Sequence, residues 1–126
     1  MKITQIDHIV LTVKNINDTI DFYTTVLGMT VQTYADNRVA LTFGQQKINL
    51  HQQGHEFSPK AKQTTSGAAD LCFISETELD LAIAEVRSKG IVIIEGPVKR
   101  TGAIGPIISF YFRDPDGNLI EVANYE

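Results

Sequence analysis

The chain repeats one pattern of polar and turn residues, and this repeat constrains the possible fold more than any other feature. A strand-like segment carries Asp7 and His8, and Gly28 follows His8 after 20 positions. A second strand-like segment carries Asp70, and Gly90 follows it after 20 positions as well. Each glycine ends a stretch with helical spacing of apolar residues, where a left-handed helix terminus favours glycine. The repeat therefore predicts two copies of one small module.

The first copy is predicted to have the order β-α-β-β-β. A strand from about residue 7 is followed by a helix that the polar residues of segment 15–18 cap and Gly28 ends. Alternating apolar residues and turn residues then indicate strands near 30–34, 38–43 and 47–51.

The second copy is predicted to follow the same order. Its elements are a strand at 70–74, a helix from about Thr77, and strands at 91–94, 107–112 and 118–122. A long loop, roughly residues 95–106, is its main departure from the first copy. We expect one α+β domain over residues 1–126, made of modules at about 1–54 and 67–126 that a polar linker joins.

Composition excludes several classes of partner. A net charge of −4 and a pI near 5.3 argue against binding to nucleic acid. The apolar runs are strand-length, which argues against a membrane protein, and no signal-like region precedes the first strand. The lone Cys72 agrees with a reducing compartment, so we expect a cytoplasmic protein in which Cys72 is a packed, inert thiol.

Four ligand-type residues share one feature, which is the face of the strand that they occupy. Side chains alternate between faces, and each of these residues lies opposite the apolar residues of its strand. They are His8, His51, Asp70 and Glu121. Two imidazoles and two carboxylates suit a divalent ion of nickel, zinc, manganese, iron or cobalt. The alternative is that they are ordinary polar residues on the wet face of an antiparallel sheet.

The order of elements, the opening segment 7–11 and the closing segment 110–121 resemble the vicinal oxygen chelate superfamily. The most specific part is the segment Asp-Pro-Asp-Gly-Asn-Leu-Ile-Glu at residues 114–121. This superfamily includes glyoxalase I, fosfomycin-resistance thiol transferases, extradiol dioxygenases and bleomycin-resistance binding proteins. The resemblance implies two βαβββ modules that form a curved mixed sheet around a metal-binding cavity.

The resemblance also implies metal ligands. His8 matches the ligand of the first strand, His51 the ligand that closes the first module, and Glu121 the ligand that closes the second. Asp70 stands where glyoxalase I relatives usually place a histidine, and His51 where they usually place a glutamate. Asp70 is either a direct ligand or a residue that orients a water or a ligand histidine. In the second case the other three form a two-histidine, one-carboxylate set like that of the thiol transferases and dioxygenases.

The implied function is a metal-dependent lyase or isomerase of glyoxalase I type, acting on a small substrate with adjacent oxygens. Glu121 is the expected base, and Tyr111 is a candidate to hydrogen-bond a substrate oxygen. Lys99 and Arg100, in the predicted loop, could meet an anionic group of the substrate. The alternatives are a fosfomycin-resistance-type thiol transferase and a non-catalytic protein that sequesters a ligand.

The resemblance further implies a homodimer whose partner molecule is a small substrate, possibly a thiol conjugate. The ligands would then come from one chain or from two, and the sequence leaves both arrangements open.

Overall fold

The computed structural model describes all 126 residues, which form two compact units, Met1–Gly67 and Ala68–Glu126. Each unit contains one helix and one four-stranded sheet. Neither helix is long and apolar enough to cross a membrane. The predicted α+β fold with two βαβββ modules is confirmed.

The first unit contains β1 (His8–Val13), α1 (Ile16–Thr25), β2 (Thr30–Tyr34), β3 (Arg38–Phe43) and β4 (Gln46–Gln52). Its sheet has the order β1-β4-β3-β2, in which β1 and β4 are parallel and the other pairs are antiparallel.

The second unit repeats this topology. It contains β5 (Asp70–Ile74), α2 (Leu79–Ser88), β6 (Glu95–Thr101), β7 (Pro106–Arg113) and β8 (Leu119–Tyr125). Its sheet has the order β5-β8-β7-β6, again with one parallel pair, β5 and β8.

The helices begin and end close to the predicted positions. The Asn15 side chain accepts a hydrogen bond from the Asp18 N–H at 3.0 Å and so satisfies a donor that the first turn of α1 leaves free. Gly28 lies beyond α1 with φ +68°, a conformation that glycine adopts without a steric cost. Helix α2 begins at Leu79, two residues after the predicted start.

Each sheet buries one face against its helix. In β1, Leu11 and Val13 are buried, while His8 and Val10 are exposed. Helix α1 buries Tyr23 completely and packs against β2, β3 and β4, whereas α2 packs against β7. We call the opposite side of each sheet its helix-free face. All four candidate ligands lie on helix-free faces, as their strand parity predicts.

The predicted strand at 91–94 is wrong. The strand in this position is β6, which covers Glu95–Thr101, the beginning of the predicted loop. Because β6 pairs with β7 in the register Glu95 opposite Tyr111, a strand at 91–92 would need partners beyond Arg113, where β7 ends. A bulge between Glu95 and Val98 absorbs Gly96, where a Cβ atom would lie only 2.6 Å from Phe110 Cα.

The turn between β7 and β8 is held by side chains as well as by its backbone. Asp114 Oδ1 accepts from the backbone N–H groups of Asp116 and Asn118, both at 2.9 Å. The buried Asn118 amide donates to Asp114 Oδ2 at 2.7 Å and accepts from the Ala69 N–H at 2.8 Å. Asn118 thus ties the start of β8 to the residue that precedes β5.

We predict that Asn118→Ala lowers the free energy of unfolding by about 2–3 kcal/mol, because it removes the hydrogen bond that Asp114 Oδ2 accepts in the buried turn and the bond that the Ala69 N–H donates. Urea unfolding followed by circular dichroism measures this. The matched control is Asn17→Ala on the exposed side of α1, which is expected to change stability by less than about 0.5 kcal/mol. Equal stability of the two variants would contradict this role for Asn118.

Candidate functional site

Glu121 lies in the middle of the second sheet, between a thiol and a phenol. The register of β5, β8 and β7 places Cys72 opposite Glu121 on one side and Tyr111 opposite Glu121 on the other. All three side chains share the helix-free face, and the Glu121 carboxylate is close enough to both neighbours to contribute, after burial, to raising the pKa of each. The row Cys72, Glu121, Tyr111 therefore follows from strand pairing alone.

Arg100 extends this row. Its Nε–H donates to the Tyr111 hydroxyl oxygen at 3.0 Å, and its second guanidinium nitrogen donates to Glu95 Oε1 at 3.2 Å. The sequence places Arg100 in a loop, but it belongs to β6, and its side chain is fixed by these two contacts. Because Arg100 already donates to the phenol oxygen, the Tyr111 O–H is available to donate to another group.

The pKa shifts in this row keep both neighbours of Glu121 protonated. Burial, followed by the charge of Glu121 and its hydrogen bond, raises the pKa of the Cys72 thiol to about 11. Burial also raises the pKa of Tyr111, although the hydrogen bond from Arg100 opposes this. At neutral pH, Glu121 consequently has two neutral donors and no thiolate beside it.

A depression of about 380 Å³ lies over this row. The polar side chains of Glu121, Tyr111 and Arg100 line it, and so do Tyr125 and Ile107. Cys72 also lines it and is exposed, so the expectation of a packed thiol is wrong, although the raised pKa agrees with an unreactive one. A volume of this size suits a small molecule.

In the first unit, His8 is the exposed first residue of β1. Its Nδ1 lies 2.8 Å from Asp7 Oδ2. A proton on Nδ1 would be donated to this carboxylate and leave the Nε2 lone pair available, which is the arrangement common to metal-binding histidines. The residue opposite His8 on β4 is Lys47.

The strand register corrects the prediction that His51 occupies the position in the first unit that Glu121 occupies in the second. In the second unit, Glu121 lies two residues beyond Leu119, which pairs with Asp70. The corresponding residue of the first unit is Asn49, two residues beyond Lys47, which pairs with His8. His51 instead pairs with Thr12, four residues or about 13 Å along the strand from the level of His8. His51 is thus not the counterpart of Glu121.

His51 is buried, with 7% of its surface exposed. Its ring meets Phe57 edge-to-face, with 5.3 Å between centroids, and the Arg38 guanidinium carbon lies 4.1 Å from the centre of the same Phe57 ring. Burial, followed by the charge of Arg38, lowers the pKa of His51, so its imidazole is neutral at pH 7.

The candidate ligands are of the chemical types that bind a divalent metal, but the structure does not group enough of them to form a complete site. The structure brings no three His, Cys, Asp or Glu side chains together in a group that could hold a metal ion. The first unit offers His8 with its available Nε2, and the second offers Asp70 and Glu121 on neighbouring strands at levels two residues apart. Nitrogen and carboxylate donors of this kind fit the ions that the sequence suggests.

The comparisons with known proteins agree with this topology. The sequence model of the Glyoxalase/Bleomycin resistance protein/Dioxygenase superfamily matches residues 5–122. The chain belongs to this superfamily. It is 58% identical to the virulence protein STM3117 of Salmonella typhimurium, over 99% of the chain and 87% of that protein. It is 50% identical to the glyoxalase domain-containing protein RDO1 of Mycosarcoma maydis, over 100% of the chain and 71% of that protein.

Solved structures show the same fold. An integron cassette protein of V. cholerae superposes with a TM-score of 0.99 at 59% identity, covering 100% of this chain and 98% of that one. More distant members have named activities. The metallothiol transferase FosB of Staphylococcus epidermidis is 29% identical over 97% of the chain and 82% of that protein. A lactoylglutathione lyase from Agrobacterium tumefaciens has a TM-score of 0.76 at 20% identity, over 98% and 96%.

The sequence did not predict several of the side-chain contacts at these two places in the structure. Tyr111 and Glu121 were candidates, but the contacts of Arg100 with Tyr111 and Glu95 depend on the position of β6, which was misplaced. The cluster of Arg38, His51 and Phe57 was missed because Phe57 lies in a segment with no periodic pattern. No local signal could have found that contact.

We predict that the exchange of Cys72 with a dipyridyl disulfide is slow at pH 8 and accelerates toward a midpoint near pH 11, because only the thiolate reacts. Glu121→Gln removes the negative charge that helps to raise this pKa, so the midpoint is expected to move to lower pH. Stopped-flow absorbance with a dipyridyl disulfide measures both rates. The control, Glu95→Gln, should keep the wild-type midpoint, and a midpoint near pH 9 in the wild type would contradict the prediction.

Proposed function

We propose that this protein is a metal-dependent lyase or isomerase of glyoxalase I type that acts on a small substrate with adjacent oxygens. The observation that carries the proposal is the row formed by Arg100, Tyr111 and Glu121 beneath a depression of about 380 Å³. This row combines a proton acceptor with an oriented hydroxyl donor, which are the two groups that proton abstraction beside a carbonyl requires.

In the proposed reaction, Glu121 accepts the proton of the carbon next to the substrate carbonyl. The electron pair of the broken C–H bond moves toward the carbonyl oxygen, which gains negative charge. Tyr111 is suited to donate its hydroxyl hydrogen to that oxygen, because its raised pKa keeps the phenol protonated. Arg100 fixes the direction of the hydroxyl through its own hydrogen bond. Glu121 then returns the proton to the former carbonyl carbon, while the proton of the adjacent substrate hydroxyl passes to the former carbonyl oxygen, which completes an isomerisation.

We propose that His8, Asp70 and Glu121, drawn from one chain or from two, hold a divalent ion, with nickel, zinc, manganese, iron and cobalt as the candidates. When bound, such an ion would act as a Lewis acid toward the two substrate oxygens. His51 is left out of this proposal because its level on β4 differs from that of Asn49, the counterpart of Glu121, and because it is buried against Phe57. The homodimer stays a prediction that light scattering would test.

A thiol transferase is the second candidate, and the likeness to FosB favours it. The pKa of about 11 for Cys72 excludes this residue as the reacting thiol at neutral pH, so the thiol would have to come from a second substrate. In that reaction Tyr111 would bind the oxygen that an opening epoxide releases. The same variants test both candidates, because only the substrates differ.

We expect the untagged protein, loaded with each candidate metal in turn, to convert the hemithioacetal of methylglyoxal and glutathione. Glu121→Gln is expected to lower kcat by about 10²–10⁴-fold, because it removes the base, and Tyr111→Phe by about 10–100-fold. Absorbance of the thioester product measures the rate. The matched control is Glu85→Gln on the exposed side of α2, which should keep wild-type activity.

Full activity of Glu121→Gln would overturn the proposed mechanism. Elemental analysis of the variants His8→Ala, Asp70→Ala and Glu121→Ala tests the metal ligands independently of any substrate, and unchanged metal content would overturn that assignment. Product from fosfomycin with a thiol, but not from the hemithioacetal, would establish the transferase. Absence of both metal binding and turnover would leave a ligand-sequestering protein.

A further inference from the structure

The helix-free face of the first sheet contains two buried polar atoms that have no hydrogen-bond partner in the protein. They are Nδ1 of His51 and Oδ1 of Asn49. The two residues are separated by one position on β4, so their side chains point to the same face about 7 Å apart along the strand. An unpartnered buried polar group costs about 1–3 kcal/mol, so two on one face indicate a place that a ligand satisfies.

The same face is cationic, although the chain as a whole has a net charge of −4. The ionisable side chains that its strands contribute include no Asp or Glu. They are His8, Arg38, Lys47 and His51, with Tyr34 from β2 as the fifth titratable group. Glu56 and Lys60, in the segment after β4, also act on His51, but their charges pair with each other at 3.3 Å, and Glu56 accepts from the Gly54 N–H as well. Lys47 lies 4.3 Å from the centre of the Tyr34 ring and makes no ion pair with a carboxylate.

Arg38 is the charged residue that acts most strongly on His51. It lies beside His51, whose pKa its charge helps to lower, and its guanidinium rests on the Phe57 ring. No ion pair or hydrogen bond occupies this guanidinium, in contrast to Arg100, which binds Tyr111 and Glu95. Phe57 therefore holds Arg38 and His51 side by side while the donors of Arg38 stay available.

We propose that Arg38, His51 and Asn49 form a binding subsite for a small carboxylate that carries a neighbouring hydroxyl. Arg38 donates two hydrogen bonds to the carboxylate, a pairing that its planar fork favours. His51 donates from Nδ1 to the same group as a neutral imidazole. Asn49 Oδ1 accepts from the ligand hydroxyl. The subsite goes beyond the proposed reaction and uses none of its residues.

Lactate is the probe, because it combines a carboxylate with an adjacent hydroxyl. Titration of ¹⁵N-labelled protein by NMR is expected to shift the His51 ring and Asn49 amide signals saturably. Acetate, which lacks the hydroxyl, should bind about 2–10-fold more weakly, the value of one hydrogen bond. Lactamide, which lacks the charge, should shift neither signal.

Variants test separately the contact of Arg38 with the carboxylate and the contact of Asn49 with the hydroxyl. Arg38→Gln is expected to weaken lactate binding by about 10–100-fold, and Arg38→Lys to restore part of it. Asn49→Ala should reduce the affinity for lactate to that for acetate and leave acetate binding unchanged. The matched control is Arg113→Gln, whose arginine contacts only the Gly117 carbonyl in the second unit and should bind lactate as the wild type does.

Absence of a saturable shift at His51 and Asn49 in the wild type would overturn the subsite. Equal lactate affinity in Arg38→Gln and the wild type would overturn it as well, as would equal shifts with lactamide. The measurement reports binding alone, so it stands whether or not Glu121 catalyses a reaction. The fold of each variant is checked by the dispersion of its backbone amide signals.

Discussion

The pairing of the last strand of each unit with its two neighbours is the constraint on which both candidate sites depend. The pair β5 and β8 fixes Cys72 opposite Glu121, and antiparallel pairing with β7 then fixes Tyr111 on the other side. A shift of one residue would turn Glu121 into the apolar face and bring Ile120 out of it. The buried contacts of Asn118 with Asp114 and Ala69 stabilise this register at the turn where β8 begins.

The two units share a backbone but differ in chemistry at matching positions. Where the second unit has Glu121 beside Tyr111, the first has Asn49 beside Ala40. The second unit therefore presents a carboxylate with hydroxyl and guanidinium neighbours, whereas the first presents cations and unpartnered amide and imidazole atoms. The repeated backbone supplies rows of side chains, and the residues in each row decide whether it suits proton transfer or anion binding.

Most of the fold could be predicted because its signals are local. Asn15 and Gly28 mark the ends of α1, and the alternation of apolar residues indicates which face of each strand is buried. The error at 91–94 has a non-local cause. Four β-branched residues have high strand propensity, but β7 ends at Arg113 and offers no partner to the first of them, so the bulged segment with Gly96 pairs instead.

The features of the candidate site also fall into those that the sequence predicts and those that depend on tertiary structure. Sequence by itself determined that His8, Asp70 and Glu121 lie on helix-free faces, because side-chain alternation is a property of the strand alone. Only the tertiary structure decided that Arg100 meets Tyr111, that Asn49 and not His51 matches Glu121, and that Phe57 joins Arg38 to His51. The physical reason is that pairing register and loop packing depend on residues far apart in the chain, and their energies have no local signature.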